Sequence, residues 1–288
     1  MGRFAPSPSG VLHLGSLYTA AASYLDARAH GGRWLVRIED LDAPRVVPGA
    51  ASAILATLQA FGFEWDGDVM YQSARTGHYA AALDSLRERG LIFECSCSRS
   101  QLADESRYPG TCRGGPGEPG SPTAARLRVE PGRIEFTDRI QGRFRQDVAA
   151  AVGDMALRRR DGLFAYVLAV VVDDAAQGVS QVVRGADLLD NTPRQVHLQR
   201  LLGLPTPGYA HVPVLTEADG RKLAKSERSV AANPYDAVRQ LCNIFNLLNL
   251  APPTELGGGK LDDAWRWARA HWQVAAVPRR FSSPLRGE

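Results

Sequence analysis

The stretch that decides the fold is RFAPSPSGVLHLGSLYTAAASYL, residues 3–25. Its two prolines stiffen the chain as it leaves an expected first strand, and the glycine after them permits a turn or a close approach. From residue 14 onward apolar residues recur at helical spacing, which predicts a helix. His13 and Gly15 therefore stand where that helix begins, and free N–H groups with the positive end of the dipole favour anions there. A surface histidine at a helix start is the alternative interpretation.

The following segments alternate between strand and helix. RWLVRIED (33–40) is typical of a buried strand that ends in acidic residues, and residues 48–61 and 76–89 each predict a helix closed by a glycine. Strand, helix, strand and helix at this rhythm indicate a parallel sheet covered by helices. We therefore expect an α/β protein with a Rossmann-like parallel sheet.

This rhythm breaks at residues 93–125, which hold three cysteines and the segment YPGTCRGGPGEPGSP. We expect an insertion with little core of its own. The pattern then resumes in FAYVLAVVVDD (164–174), QVVRGAD (181–187), the helix NTPRQVHLQRLLG with Asn191 or Thr192 as its cap, and the strand HVPVL (211–215). From residue 234 onward the pattern is helical, and we expect the last residues, FSSPLRGE, to be loose.

Composition excludes several classes of protein. The chain has 288 residues, 44% of them hydrophobic, and a net charge of +3 that permits an acidic partner without demanding one. No stretch reaches the roughly 18 uninterrupted apolar residues of a membrane span, and the N-terminus lacks the pattern of a secretory signal. The sequence predicts a cytoplasmic protein that does not enter a membrane, with a monomer as the default state.

Three of the four cysteines cluster at Cys95, Cys97 and Cys112. In a reducing compartment such a cluster indicates a metal site before a disulfide, because three thiolates in a segment without a core can hold a tetrahedral ion. Three buried or free thiols are the alternative. Cys242 lies in an apolar helical run, LCNIFNLLNL, and is expected in the core.

The pentapeptide KLAKS, residues 222–226, follows the last expected strand. A loop at this place can bring the ammonium groups of Lys222 and Lys225 onto a polyphosphate. A solvated run of charges is the alternative for this segment alone. No phosphate-binding loop of the G-x-x-x-x-G-K-[ST] type is present.

Together, HLGS and KLAKS on an α/β chain resemble the signature pair of class I aminoacyl-tRNA synthetases. The blocks RFAPSPSGVLHLGS, RIEDLD, YVLAVVVDD and VVRGADLLDNTPRQ are similar to the glutamyl branch of that family, and the resemblance covers roughly residues 3–250. Two positions depart from the wider family. Ser16 stands where the signature has a second histidine, and Ala224 stands where the lysine loop has serine.

Two features resemble the glutamyl-Q tRNA(Asp) synthetases, short members that glutamylate the modified base queuosine in the anticodon of tRNA(Asp). Only 62 residues follow KLAKS, too few for a large anticodon-reading domain. The pattern CSC (95–97) with YPGTC (108–112) is similar to their zinc site. The resemblance implies one structural zinc ion held by Cys95, Cys97, Cys112 and Tyr108, although Asp104, Glu105 or water can substitute for the phenol.

The resemblance also implies the residues of an active site for ATP and L-glutamate. The catalytic set is His13, Lys222 and Lys225, and the ATP-binding set is His13, Gly15, Ser16 and Lys225, with Mg²⁺ accompanying ATP. The residues expected to line the glutamate pocket are Arg3, Phe4, Ala5, Pro6, Ser7, Glu39, Tyr166 and Arg184. Arginine suits a carboxylate because its fork is planar and bidentate. Without the resemblance, surface ion pairs and core packing would be the better interpretation of these residues.

We divide the chain into four parts: a first half of the catalytic domain (1–92), a zinc-binding insertion (93–155), a second half with the lysine loop (156–232) and a helical C-terminal part (233–288). The expected function is ATP-dependent activation of glutamate without tRNA, followed by transfer to queuosine of tRNA(Asp). Three alternatives remain: a truncated glutamyl-tRNA synthetase that charges tRNA(Glu), a small-molecule nucleotidyltransferase or ligase, and a non-catalytic zinc-stabilised tRNA-binding module.

Overall fold

The computed structural model describes residues 1–98, 100–102, 107–117, 120–216, 232–280 and 282–284. The strands in this part of the chain are β1 (Gly2–Phe4), β2 (Trp34–Ile38), β3 (Met70–Tyr71), β4 (Ile92–Cys95), β5 (Ala124–Leu127), β6 (Arg133–Asp138), β7 (Gly142–Asp147), β8 (Met155–Arg158), β9 (Gln181–Gly185), β10 (Gly208–Val212), β11 (Val214–Thr216) and β12 (Ser282–Pro284). The helices are α1 (Leu14–Ala29), α2 (Ala50–Ala60), α3 (Thr76–Glu88), α4 (Val148–Ala151), α5 (Tyr166–Ala176), α6 (Thr192–Leu202), α7 (Ala237–Leu247) and α8 (Leu261–His271).

A parallel sheet forms the centre of the fold. β1 pairs with β2 and β2 with β3, while β9 pairs with β10, all in parallel. β1 and β9 lie side by side and connect these two sets of strands. The backbone N–H groups of Ser180 and Gln181 both donate to the carbonyl oxygen of Met1, each at 3.0 Å. The resulting order is β3-β2-β1-β9-β10, with β1 and β9 at its centre. This is the order of a doubly wound fold, in which ligands bind beyond the carboxyl ends of the central strands.

Helices cover both faces of the sheet, each with its own core. On one face α1 packs between β1 and the pair α7 and α8, and the largest buried side chains of this core include Tyr24, Trp34 and Trp265. Tyr24 and Trp265 meet edge to face at 4.8 Å between ring centroids. On the other face α3, α5 and α6 bury their apolar sides together with β5 and β8. The Rossmann-like α/β fold expected from the sequence is confirmed.

The insertion is built from two small antiparallel units. β5 lies between β4 and β8, and β6 forms a hairpin with β7 that joins the edge of β10. A separate cluster of four buried residues, Phe93, Cys95, Tyr108 and Cys112, lies at the end of β4. The division of the chain at residues 92, 155 and 232 stays a prediction.

The apolar run 164–174, which the sequence left without an assigned element, is helical from Tyr166 onward, so it covers the sheet and adds no strand to it. Two local expectations need correction. The expected strand 211–215 is interrupted at Pro213, which has no N–H for a ladder and separates β10 from β11. Part of the tail is ordered, because β12 pairs in parallel with β11. Within the described residues, no helix is both long and apolar enough to cross a membrane.

Candidate active site and metal centre

His13 caps the N-terminus of α1, as the opening stretch predicts. Its ring nitrogen Nδ1 accepts from the backbone N–H of Ser16 at 3.2 Å, and its Nε2 lies 3.1 Å from the Ser16 hydroxyl. Gly15 fits closely beneath the ring, since a Cβ there would lie 3.1 Å from both Cε1 and Nδ1 of His13. The ring is therefore held over the first turn of the helix, at the end that favours anions.

A cavity of about 580 Å³ opens at this helix start, beyond the carboxyl ends of β1 and β9. Its walls come from the opening stretch on one side and from the segments after β9 and β10 on the other. The sequence-predicted residues that line it are Phe4, Ala5, Pro6, Ser7, His13, Gly15 and Ser16. The predicted ATP-site residues in the described part of the chain thus share one cavity, at the position where this fold binds ligands.

A second recess of about 230 Å³ adjoins the first. Glu39 from the end of β2 and Tyr166 from the start of α5 line it. Ser7 lines both cavities, so the two spaces meet at this residue. The structure therefore places two of the predicted glutamate-binding side chains beside the predicted nucleotide cavity.

Arg3 lies behind these cavities in a buried ion-pair cluster. Its Nε donates to Oδ1 of Asp174 at 3.1 Å, and Nη1 of the fully buried Arg37 lies 2.8 Å from the same oxygen. Arg37 also reaches Oε1 of Glu39 at 3.4 Å. Burial works against the charge of Arg37, but the carboxylates of Asp174 and Glu39 outweigh it and raise the pKa of Arg37. Arg37 therefore stays charged and holds Glu39 at the edge of the recess.

Glu39 places its carboxyl group at the second recess although its side chain is largely buried. Its side chain is only 10% exposed, and this burial raises its pKa, while the nearby charges of Arg37 and Arg3 act in the opposite direction. A carboxylate with this balance gains from an incoming cation, because a third positive charge offsets its desolvation. It can accept an ammonium group.

Arg184, at the end of β9, is held by neutral partners. Its Nε donates to Nε2 of His211 at 3.0 Å, its Nη2 donates to the Thr192 hydroxyl at 2.9 Å, and its Nη1 reaches the Tyr166 hydroxyl at 3.4 Å. An arginine N–H can only donate, so Nε2 of His211 must be unprotonated. The ring proton then sits on Nδ1, which faces Oδ2 of Asp138 at 2.6 Å.

Burial lowers the pKa of His211 and so supports this neutral ring. Asp138 and His211 both have fully buried side chains. Sequence reasoning missed these two residues and Asp174, each of which positions a predicted arginine. The signal available for Asp174 was the pair of acidic residues that closes the apolar run 164–174; nothing near Asp138 or His211 in the sequence marked them.

The three clustered cysteines come together as expected. The Sγ atoms of Cys95, Cys97 and Cys112 all lie within 4.8 Å of one another, and those of Cys97 and Cys112 are 3.5 Å apart. Tetrahedral zinc with Zn–S bonds of about 2.3 Å separates its sulfurs by about 3.8 Å, which this arrangement matches. Among the described residues, this is the one group of three or more cysteine, histidine or acidic side chains that can hold a metal ion.

Tyr108 closes the cysteine cluster from the side. Its hydroxyl accepts from the backbone N–H of Cys112 at 2.9 Å and is within hydrogen-bonding reach of the Cys95 and Cys112 thiols. Burial disfavours a Cys112 thiolate, but hydrogen bonds from the Ser96 backbone and from Tyr108 outweigh it and lower its pKa to about 6. The three sulfurs fit zinc, while the role of Tyr108 as a fourth ligand stays a prediction.

Lys222 and Lys225 lie outside the described residues, as do Asp104 and Glu105. The roles expected for the two lysines stay predictions.

Comparison with known proteins agrees with this geometry. Residues 1–113 and 115–248 match the family described as "tRNA synthetases class I (E and Q), catalytic domain". The chain is 54% identical, over 97% of its length and 95% of the relative, to a glutamyl-Q tRNA(Asp) synthetase of Ectopseudomonas mendocina (strain ymp). It is also 54% identical, over 96% of its length and 95% of the relative, to one of Dechloromonas aromatica (strain RCB).

Solved structures show the same fold at lower sequence identity. A glutamate-tRNA synthetase from Elizabethkingia anophelis has a TM-score of 0.81 at 22% identity, covering 97% of this chain and 67% of that one. A glutamate tRNA ligase from Elizabethkingia meningosepticum CCUG26117, solved in complex with its amino acid, has a TM-score of 0.80 at 21% identity, covering 97% and 66%. The chain therefore belongs to the class I tRNA synthetases of the glutamyl and glutaminyl group and, within that group, to the family of glutamyl-Q tRNA(Asp) synthetases.

Proposed function

We propose that this protein activates L-glutamate with ATP in the absence of tRNA and transfers the glutamyl group to the queuosine base in the anticodon of tRNA(Asp). The observation that carries the proposal is the meeting of two cavities at Ser7. One is large and lies at a helix N-terminus; the other is small and lies beside buried charges. Nucleotide and amino acid can thus occupy adjacent spaces. The support for queuosine of tRNA(Asp) as the acceptor is that similar proteins are named glutamyl-Q tRNA(Asp) synthetases.

ATP takes the larger cavity in this proposal. The N–H groups at the start of α1 and the His13 ring face its phosphates, and Gly15 leaves room for a close approach. Lys222 and Lys225 supply the opposing positive charges, and Mg²⁺ accompanies ATP as part of the substrate.

Glutamate takes the smaller recess. The Glu39 carboxylate holds the ammonium, and Arg184, which is buried behind Tyr166 and lines neither cavity, holds a carboxylate through that side of the recess. Arg3 supports this side of the pocket through its positive charge. The loop of Phe4, Ala5, Pro6 and Ser7 supplies backbone and hydroxyl groups at the junction of the two spaces.

The chemistry needs no general base for activation. A carboxylate oxygen of glutamate attacks the α-phosphorus of ATP, the bond from that phosphorus to the bridging oxygen breaks, and pyrophosphate leaves with the bonding electrons. A hydroxyl of the queuosine cyclopentene ring then attacks the carbonyl carbon of glutamyl adenylate, AMP leaves, and the hydroxyl proton is released. The protein contributes alignment and stabilisation of phosphate charge.

We propose that one zinc ion binds Cys95, Cys97, Cys112 and Tyr108. Bound zinc supplies folding energy and takes no part in the chemistry, because the cluster lies in the insertion and lines neither of the two active-site cavities. Metal content per chain, measured by mass spectrometry, tests this stoichiometry.

The activation step is tested by pyrophosphate exchange with glutamate and ATP alone. The variant Lys225→Ala should lower the exchange rate by on the order of 10², as the loss of one transition-state donor does. Lys260→Ala is a matched control, because Lys260 lies before α8 and lines neither active-site cavity. Equal rates for the two variants would remove Lys225 from the mechanism.

The acceptor is tested by glutamylation of tRNA(Asp) with and without queuosine. Labelling should require the modified base and should be absent with tRNA(Glu). Equal labelling of both forms of tRNA(Asp) would contradict the acceptor, while labelling of tRNA(Glu) would favour a truncated glutamyl-tRNA synthetase.

We also propose that the protein acts in the cytoplasm, where its tRNA substrate is present, and as a monomer. Cell fractionation and sedimentation equilibrium test these two points.

A further inference from the structure

A third cavity, of about 230 Å³, lies apart from the two cavities of the active site. It is enclosed between β5 and β8 of the insertion and the first turns of α5 and α6, and no residue that lines it lines the other two. Arg126 and Arg194 face it from opposite elements, β5 and α6. The cavity therefore lies between the insertion and the second half of the catalytic domain, with one arginine on each side.

Neither guanidinium group forms an ion pair with a carboxylate within the described residues, although the charge of Arg126 helps to lower the pKa of Asp154. The Nε atoms of Arg126 and Arg194 are buried and have no hydrogen-bond acceptor there. Arg126 donates from Nη1 to the backbone carbonyl of Asp154 at 2.9 Å and lies 3.9 Å above the centre of the Tyr108 ring. Arg194 forms no ion pair with a described carboxylate, and burial lowers its pKa against the weaker opposing charge of Asp190.

The one carboxylate that lines this cavity is already paired. Asp154 receives two hydrogen bonds from Arg113, from Nε at 2.8 Å and from Nη2 at 2.7 Å, and a third from the backbone N–H of Val129 at 2.9 Å. It therefore has little capacity left for the arginines across the cavity. The two Nε atoms are buried without an acceptor, which is costly, and an incoming anion that accepts from them would relieve this cost.

We propose that this cavity binds a backbone phosphate of the RNA substrate. Guanidinium forks match phosphate geometry with paired donors, which favours phosphate over a single carboxylate oxygen. The proposal rests on the function proposed above and names a contact for its macromolecular substrate.

The position of the cavity favours RNA over free phosphate. Val167 lines it, while the preceding residue, Tyr166, lines the glutamate recess on the other side of the α5 N-terminus. Arg194 follows two residues after Thr192, which holds Arg184. The two spaces therefore flank the start of α5, and an RNA chain that reaches the glutamate recess can also reach this cavity.

The test compares three variants of the full-length protein. Arg194→Met removes the charge and keeps an apolar stem, Arg194→Lys keeps the charge without the fork, and Arg239→Gln is a control at an exposed arginine of α7. The measurements are tRNA(Asp) binding over a series of salt concentrations, pyrophosphate exchange without tRNA, and thermal unfolding with and without inorganic phosphate.

We expect Arg194→Met to weaken tRNA binding about tenfold and to reduce the slope of log K against log salt by about 0.7, the contribution of one phosphate contact in a single strand. Its exchange rate without tRNA should be unchanged. Its unfolding temperature should rise in the absence of ligand, because an unpaired buried charge has been removed. Arg194→Lys should restore most of the salt slope, and Arg239→Gln should leave it unchanged.

Two results would overturn the proposal. One is a lower unfolding temperature of Arg194→Met together with an unchanged salt slope, which would make Arg194 a structural residue. The other is stabilisation of the wild type by inorganic phosphate, lost in Arg194→Met, without any change in tRNA binding, which would assign the cavity to a free anion. Failure of the proposed function is distinguishable, because it would abolish exchange in the wild type while the binding measurements remain informative.

Discussion

The variant Asp138→Asn tests whether His211 positions Arg184 for glutamate. Oδ1 of Asp138 accepts from the backbone N–H groups of Ile140 at 3.0 Å, Gln141 at 2.8 Å and His211 at 3.1 Å, while Oδ2 accepts from Nδ1 of His211. An asparagine oxygen can keep the three backbone bonds, but its NH₂ group then faces Nδ1. The imidazole must move its proton to Nε2, which opposes the Nε–H of Arg184.

The expected magnitude follows from these contacts. The change loses one hydrogen bond to a charged group and sets two donors against each other beside Arg184, at a cost of about 2–3 kcal/mol. If this free energy is lost from the binding of glutamate because Arg184 is displaced, the KM for glutamate should rise roughly 30- to 150-fold. The KM for ATP should change little, because neither Asp138 nor His211 lines the larger cavity.

The assay is pyrophosphate exchange with glutamate and ATP varied separately. Asp154→Asn is the matched control, since Asp154 is likewise a buried carboxylate bonded to an arginine and a backbone amide, but in the insertion. It should lower stability and leave the KM for glutamate unchanged. If Asp138→Asn shows the same pattern as this control, the reasoning about His211 is refuted.

The same histidine gives a pH dependence. Because burial lowers the pKa of His211, the unfolded chain binds its proton more readily than the folded chain. The neutral His211 ring therefore makes its full contribution to the free energy of unfolding above pH 6.5, which is about the pKa of histidine in the unfolded chain. This contribution falls as the pH drops toward the lower pKa of His211 in the folded protein. Thermal unfolding between pH 5 and pH 7.5 measures this loss, and His211→Gln should flatten it.

Three further predictions concern close approaches and the metal. Gly153→Ala should destabilise the fold and weaken zinc retention, because the new Cβ would lie 2.4 Å from the Tyr108 carbonyl oxygen; Gly178→Ala, also at positive φ but in open space, should cost only the backbone strain of about 1–2 kcal/mol. Gly15→Ala should raise the KM for ATP, because its Cβ would press on the His13 ring. Removal of metal by a chelator should lower the unfolding temperature, since the three-cysteine cluster has only a small core around it.

Local patterns predicted the parts of the site that depend on neighbours in sequence. The start of α1 at residue 14, the place of His13 at that start and the cysteine cluster all follow from spacing over fewer than twenty residues, and each was found. Their physical causes, helix capping and thiolate chemistry, act over the same short range.

The partners of the buried arginines could not be predicted in the same way. Arg3 and Asp174 are 171 residues apart in sequence, and Asp138 and His211 are 73 apart. Only the fold brings them together: α5 places Asp174 against Arg3 of β1, and the pairing of β6 with β10 places Asp138 beside His211. The apolar run at 164–174 was left unassigned for a different reason. A continuous apolar stretch fits a buried strand or a buried helix equally well, and only packing against α3 and α6 decides.

The long-range contacts also separate the roles of two arginines that the sequence treated alike. Arg3 is committed to the carboxylate of Asp174, whereas the contacts of Arg184 within the described residues go to neutral groups. An incoming carboxylate therefore gains more from Arg184, whose charge has no direct counter-ion there. Loss of Arg3 would leave Asp174 with Arg37 and would act mainly on stability, since breaking a buried pair costs about 3–5 kcal/mol. We expect Arg184→Met to raise the KM for glutamate with little loss of stability and Arg3→Met to do the reverse. Unfolding and exchange measured on both variants would contradict this division if the two behave alike.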